Sequence, residues 1–326
     1  MLHRLPVPED AQGTRLDVWL EAQLPGCSRS LVARCIREER CQISSGKAKP
    51  GFRLRGGELI EIEVPELEVH DIEPEDIPLE VLYEDDDLLL VNKPPGMVVH
   101  PAIGHPRGTL LAAVLGRYGQ PGTDCQGAAL IHRLDADTSG IIAIARHSAA
   151  LAYFQGQFRQ RAVGKQYLAL LAGQAGADWW SCHQAIGRHP RDFRKRAVVA
   201  ADSKGARSAH SDFLVRARLE HGMAVEVRLH TGRTHQIRVH AAHAGHPVLA
   251  DGVYGRHDRW PLQGQAQLTR QGLHAWRLHL RLMNGEALAM VAPIPDDLAG
   301  LLPNPLQPSP LELPAGISDI GDDGGD

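Results

Sequence analysis

Between Glu58 and Asp87 the chain places 14 acidic residues and no lysine or arginine, and the middle of that stretch, Pro65 to Pro78, is broken by repeated proline. Such a segment has little to bury and cannot sustain a helix or a central strand, so it divides the chain. The expected organisation is a small module over 13–64, an acidic linker over 65–78, a main domain over 79–300 and an acidic, disordered tail over 301–326. Composition matters here through charge. The 326 residues carry a net −4, which taken whole weighs against a nucleic-acid partner. With the carboxylates of 58–87 and of the tail set aside, the other 270 residues carry +15. Thr14 to Gly57 alone holds nine basic and four acidic residues, and the basic residues are 29 Arg against 6 Lys, the side chain suited to phosphate.

The remaining exclusions are brief. Hydrophobic residues make up 43% and charged residues 23%, the balance of a folded soluble chain. No apolar run approaches the roughly 20 residues of a membrane span, and the start lacks a signal-like stretch, so the cytoplasm is expected. Five cysteines without a Cys-x-x-Cys pair fit free thiols in a reducing compartment. No oligomer signal is legible, and a monomer is expected.

In the small module, Leu16, Trp19, Leu20 and Leu24 recur at helical spacing. Ser28-Arg-Ser30 offers N-caps for a second helix with Leu31, Val32 and Ile36 inside and Arg29, Arg34, Arg37 and Arg40 outside. Cys41–Ser44, Phe52–Leu54 and the alternating Glu58–Val64 read as strands. In the main domain, strands are predicted at Val81–Tyr83, Leu88–Val91, Ala128–Arg133, Ile141–Ala145, Gln166–Leu171 and Ala224–Leu229. Helices are predicted at Thr109–Tyr118, after a Ser148 cap, and from a Thr234 cap to Gly245. Short strands outnumber helices, so the class is α+β with a mixed, largely antiparallel sheet.

Three constellations could carry chemistry. His132-Arg133-Leu134-Asp135, followed by Thr138-Ser139-Gly140, sets a carboxylate in a loop between strands, where it is a candidate nucleophile or base and equally an ordinary polar turn. His230-Thr-Gly232-Arg233-Thr-His235-Gln-Ile-Arg238-Val-His240 leads a strand into a helix N-terminus with clustered cations, a place that attracts anions. Lys165-Gln-Tyr167 places an aromatic ring beside a basic patch, where it could stack on a base or simply pack as an edge tyrosine. His235, His240, His243 and His246 lie close in sequence but lack a metal-ligand spacing, so no metal is expected. No nucleotide-binding glycine loop occurs, and no cofactor is expected.

Taken together these motifs resemble the RluA-type pseudouridine synthases, with Leu88–Pro101, Gly245-His-Pro247, Asp251, Tyr254-Gly255, Leu273-His-Ala275 and Ala292–Asp296 following in the order of that family over about 79–300. Arg15-Leu-Asp17 and Ser28-Arg-Ser30 resemble an S4 RNA-binding domain, although Glu39-Arg40 stands where a glycine is usual and Ser44-Ser45-Gly46 replaces a Val-Asn-Gly turn. An S4-like domain before this catalytic domain is most similar to the RluD branch. The resemblance implies cofactor-free isomerisation of uridine to pseudouridine, with large-subunit ribosomal RNA or a ribosome precursor as the partner. It implies Asp135 as nucleophile or base, Arg238 as its cationic partner, and Tyr167 as the ring that stacks on the uracil and takes the C5 proton. His132, Arg133, Lys165, Arg233 and Leu273 are carried over as substrate-binding residues, Arg133 filling or holding the space of a flipped nucleotide. The competing expectations are a transfer-RNA synthase of the same family, a non-catalytic RNA-binding or ribosome-assembly protein on this fold, and a metal-dependent hydrolase using the histidines. The basic residues of Arg188–Arg207 are expected either to help select RNA or to form a solvated hairpin.

Overall fold

The computed structural model describes residues 2–24, 29–63, 72–101, 105–118, 130–192, 195–220, 222–255 and 268–306. The chain divides into two compact units, Met1–Asp71 and Ile72–Asp326. The first contains β1 (Leu2–Pro6), α1 (Leu16–Gln23), α2 (Arg29–Arg37), β2 (Cys41–Ile43) and β3 (Leu59–Glu63), with an antiparallel sheet in the order β1-β3-β2. Leu16 and Leu20 of α1, Val32 and Ile36 of α2, and Ile60 and Ile62 of β3 are all at most 3% exposed and form one core. Buried Glu58 accepts the backbone N–H groups of Arg55 and Gly56 and the Ser45 hydroxyl, which closes the turn into β3. Two expectations need correction. The module begins before residue 13, because β1 supplies the edge of its sheet. Phe52–Leu54 is a loop with one isolated bridge, Arg15 to Arg53, and not a strand. Arg37 and Arg40 are exposed as expected, while the Ser28 cap and the Arg29 and Arg34 side chains lie outside the described residues.

The second unit continues with β4 (Val81–Glu84), β5 (Leu88–Lys93), α3 (Leu110–Tyr118), β6 (Ser139–Ala145), α4 (Ser148–Gln160), β7 (Gly164–Ala172), β8 (Trp179–Cys182), β9 (Ile186–Arg188), β10 (Arg196–Val198), β11 (Ser211–Leu219), β12 (Gly222–Leu229), α5 (Gln236–His243), β13 (Leu273–Arg281), β14 (Ala287–Val291) and α6 (Asp296–Ala299). The large sheet runs β4-β5-β6-β13-β7-β12-β11-β8, with β14 also on β13. Every pairing is antiparallel except β6 with β13, which touch in parallel through Ser139–His274 and Gly140–Ala275. β13 comes late in the chain yet inserts between β6 and β7, so it joins two halves of the sheet that the sequence separates. The junction demands glycine: Gly140 has φ +108, and a Cβ there would collide with the Ala275 carbonyl oxygen.

The segment expected to be linker ends earlier than residue 78. Ile72 packs against the cluster under α3, and the Glu75 N–H donates to the Ala112 carbonyl at 3.0 Å. At the other end Leu301, Leu302 and Leu306 pack on the core, so the folded body passes residue 300; residues 307–326 lie outside the described residues, as do 64–71. Of the predicted strand Ala128–Arg133, Leu130 makes a single bridge to Ile144 and Ile131–Arg133 form a loop. Two caps also differ. The α4 N-cap is His147, whose ring accepts the Ala150 N–H at 3.2 Å. The α5 N-cap is His235, at φ +58 and with no side-chain cap bond. Gln236, the first residue of the helix, reaches back into the turn before it, where its Oε1 accepts the Arg233 N–H at 2.9 Å.

Candidate active site

Asp135 lies in the loop that runs into β6, and the sequence holds this loop rigid from several directions. The Thr138 N–H donates to the Asp135 carbonyl at 3.1 Å, which makes the turn. Lys93, at the end of β5 and fully buried, donates to the carbonyls of Pro94, Met97 and Ala136 at 2.8, 3.0 and 2.7 Å. Burial lowers its ammonium to about 7, against the opposing pull of Asp137 and Asp135. Gln271 donates to the Thr138 hydroxyl at 2.6 Å, and Arg270 donates to the Asp137 carbonyl at 3.1 Å. The loop therefore hangs from both the Pro94–Met97 turn and the approach to β13.

The carboxylate faces a guanidinium that is itself held. Arg238, on the first turns of α5, donates from Nη1 to Asp135 Oδ2 at 2.9 Å. Its Nε and Nη2 donate to the two oxygens of Asp251 at 2.7 and 2.8 Å. Asp251 is fully buried at its side chain and also accepts the N–H groups of Val253 and Tyr254. Arg238 is thus a bidentate fork on one carboxylate that gives a further N–H to the other. Burial works against its charge, but the bonds and charges of Asp251 and Asp135 prevail and raise its value above that of an ordinary arginine. Burial pushes Asp251 up, but the bond and charge of Arg238 together with the Val253 and Tyr254 N–H groups outweigh it and bring the carboxyl below its ordinary value.

Asp135 opens onto a cavity of about 240 Å³. All eight residues singled out from the sequence line it: His132, Arg133, Asp135, Lys165, Tyr167, Arg233, Arg238 and Leu273. Tyr167 on β7 and Leu273 at the start of β13 supply its flat apolar walls, because neighbouring strands present them on one face. Burial, and secondarily the charge of Asp135, pushes the Tyr167 phenol above its ordinary value. Lys165 is 8% exposed, with its Nζ 5.4 Å from the centre of the Phe158 ring; burial, then Arg161 and Arg233, brings it down to about 8. Arg233 is anchored by Nε to the Ser208 carbonyl at 3.0 Å. Arg133 stands exposed at the rim. His132 serves the fold as well as the wall: its Nε2 accepts the Ala143 N–H at 3.0 Å, its ring stacks on Phe158, and burial takes it to about 4. A second cavity, lined by Val98, Val99, Pro101 and Val253, meets the first at Asp135.

The sequence reading gave no role to Lys93, Asp251, Arg270 or Gln271. Lys93, within Leu88–Pro101, and Asp251 stood in the motif order without an assigned role, and Arg270 and Gln271 were not marked. The four histidines that follow one another from His235 to His246 do not come together: His240 bonds Ser211 and the Gln184 carbonyl, and His246 bonds the Ala172 carbonyl. Among the described residues, the group of metal-ligand type is His210, Asp212 and His230, whose ligand atoms lie within 4.8 Å. There the two imidazoles each meet one oxygen of Asp212, at 2.9 and 2.6 Å, and stack on each other at 3.8 Å, so the cluster closes on itself by hydrogen bonds. Cys35, Cys41 and Cys182 are free, buried thiols; Cys27 and Cys125 lie outside the described residues.

A carboxylate locked to an arginine, set against an aromatic and an aliphatic wall with cations around the mouth, is the site of an enzyme that works on a flat neutral ring carried by an anionic chain. A family model described as RNA pseudouridylate synthase matches residues 87–243. The chain is 39% identical over 310 residues to the ribosomal large subunit pseudouridine synthase D of Xanthomonas campestris, covering 92% of each. It is 36% identical over 306 residues to the protein of that name from Escherichia coli K12, covering 91% of this chain and 92% of the relative. Among solved structures, human RNA pseudouridylate synthase domain containing 1 superposes with a TM-score of 0.55 at 29% identity, over 72% of this chain and 92% of that one. The chain belongs to the RNA pseudouridylate synthase family, and is an isomerase of uridine in RNA.

Proposed function

We propose that this chain converts uridines of large-subunit ribosomal RNA to pseudouridine, with Asp135 at the centre of the reaction. The substrate class is supported by relatives named for the ribosomal large subunit that match along nine-tenths of the chain. The observation that carries the mechanism is the Asp135–Arg238–Asp251 arrangement at the mouth of a cavity sized for one ring. A uridine within an RNA stack cannot reach that cavity, so it enters flipped out, with Arg133 at the rim taking its place or holding it. Tyr167 and Leu273 sandwich the uracil. Lys165 and Arg233 meet the flanking phosphates.

Asp135 acts in its ionised form, either attacking C1′ or removing a sugar proton. As the bond between C1′ and N1 breaks, positive charge grows on the ribose and negative charge on the base, and a carboxylate at the sugar side stabilises the former. The released uracil turns within the cavity, and C5 bonds to C1′ as the bond from Asp135 to C1′ breaks or, on the other route, as Asp135 returns the proton it took from the sugar, so that the carboxylate is ionised again. The proton then leaves C5, while N1 gains one. Tyr167 is a neutral phenol, so it accepts the C5 proton as it passes its own to the carboxylate beside it. The reaction is redox-neutral and balances without a co-reactant.

The first unit is proposed as an S4-like RNA-binding module whose basic α2 end, Arg37 and Arg40, faces RNA. The β9–β10 hairpin, with Arg188 paired to Arg196, is proposed as a second RNA contact. The test is tritium release from large-subunit RNA labelled at uracil C5. The wild-type protein should release tritium, and Asp135→Asn should release none while its RNA affinity stays within about threefold. An inactive wild type on that RNA, or an active Asp135→Asn, would refute the proposal.

A further inference from the structure

Asp135 has two carboxylate oxygens, and Arg238 takes only Oδ2. Oδ1 faces His235, with Nε2 at 3.9 Å. His235 is the residue at which β12 and its following turn enter α5, and its backbone sits at φ +58, a conformation that a non-glycine residue adopts at a cost and that recurs at functional sites. Its other nitrogen, Nδ1, lies 2.8 Å from the Tyr254 hydroxyl oxygen. That oxygen also accepts the Arg196 backbone N–H at 2.7 Å, from β10 of the basic hairpin.

This chain of contacts assigns the protons. A phenol has one proton to give. With its oxygen already accepting from Arg196, the arrangement that uses every partner sends that proton to His235 Nδ1. Nδ1 is then an acceptor, and the imidazole proton resides on Nε2, the atom directed at Asp135. Burial lowers His235 below an ordinary imidazole, with Asp135 and Asp251 pulling against that shift and Arg238 and Arg196 adding to it. The ring is thus a neutral Nε2–H donor at neutral pH.

We infer that His235 is a positioning residue for the reaction: locked in its Nε2–H tautomer by Tyr254, it donates to Asp135 Oδ1 when substrate closes the 3.9 Å gap, so that Asp135 is gripped on both oxygens. The grip fixes the plane of the carboxylate relative to C1′, a geometry in which a displacement of about 1 Å costs on the order of a hundredfold in rate. The Arg196–Tyr254 link also ties this donor to the β9–β10 hairpin. The inference rests on the proposed role of Asp135, but its first test does not require turnover.

Long-range ¹H–¹⁵N spectra of the imidazole rings report tautomers directly, and His235→Gln identifies the His235 signals by their loss. The wild-type protein should show His235 as Nε2–H, and Tyr254→Phe should shift it toward a mixture. A wild-type Nδ1–H tautomer would overturn the inference whether or not the enzyme is active on the RNA chosen. Single-turnover tritium release supplies the second readout. His235→Phe should lose at least about tenfold with unchanged RNA affinity, and His235→Gln, whose amide can donate from nearly the same point, should recover most of that loss. A His235→Phe rate equal to wild type, or His235→Gln no better than His235→Phe, would equally overturn it. Wild-type inactivity on large-subunit RNA would count against the substrate proposal alone.

Discussion

Consider Asp251→Ala. The Asp251 side chain is fully buried and supplies both oxygens to Arg238, which is 8% exposed at its side chain. Removing it strands a guanidinium whose remaining carboxylate, Asp135, has a single bond to it at 2.9 Å. Breaking a buried pair by deleting one partner costs about 3–5 kcal/mol, because the survivor is left desolvated and underbonded. Two backbone donors, Val253 and Tyr254, lose their acceptor as well. For a unit of this size each kcal/mol moves the melting temperature by about 2–4 °C, so thermal unfolding should fall by about 6–20 °C. Activity should fall further than stability explains: at a temperature where the variant is folded, single-turnover tritium release should drop about a hundredfold, since Arg238 is free to swing and Asp135 with it. The pH dependence has a definite sign. The folded value of Asp251 lies below the unfolded one, so its stabilisation is present above about pH 4 and is lost as pH falls through the depressed value. The gap between wild type and variant should therefore be flat from pH 5 to 8 and shrink only in acid. A variant that melts within 2 °C of wild type and turns over within threefold would refute the view that Asp251 holds the catalytic pair.

Tyr167→Phe keeps the ring and loses the proton path, so RNA affinity should hold while tritium release is nearly abolished; release at the wild-type rate would remove the phenol from the proton transfer. Lys165 titrates near 8, so its charge is full below that pH and disappears above it. RNA affinity should weaken several-fold from pH 7 to 9, and Lys165→Met should flatten that limb; an unchanged limb would place Lys165 away from phosphate. Gly140→Ala forces a Cβ into the Ala275 carbonyl at φ +108 and should destabilise the second unit by more than about 3 kcal/mol, read as thermal melting; a variant of wild-type stability would mean that β6 and β13 can separate cheaply.

What the sequence determined by itself was local. Apolar alternation and helical spacing located β2 to β7, β12 and α3, α4 and α5, because period and punctuation are properties of neighbouring residues, whereas the nine-residue strands β11 and β13 were not read from it. Motifs were legible for the same reason: Asp135 precedes a turn that Thr138 closes, and Arg238 follows a strand into a helix. Errors arose where a local signal met a distant partner. Thr234 looked like the cap of α5, but the N-cap position falls one residue later, on His235. Residues 72–78 looked like linker, but α3 offers them a surface and a carbonyl.

Tertiary structure alone decided how the site is assembled. Asp135 and Arg238 are 103 residues apart, and Asp251, present in the motif order but given no role by it, fixes the second against the first. Lys93 gains meaning only when Ala136, 43 residues on, turns its carbonyl toward it. The physical reason is common to all of these: a buried charge must find its partners wherever the fold brings them, and β13 slipping between β6 and β7 sets which loops meet. The chain order records the residues that do the chemistry, whereas the geometry that makes Asp135 reactive exists only once the sheet has closed around it.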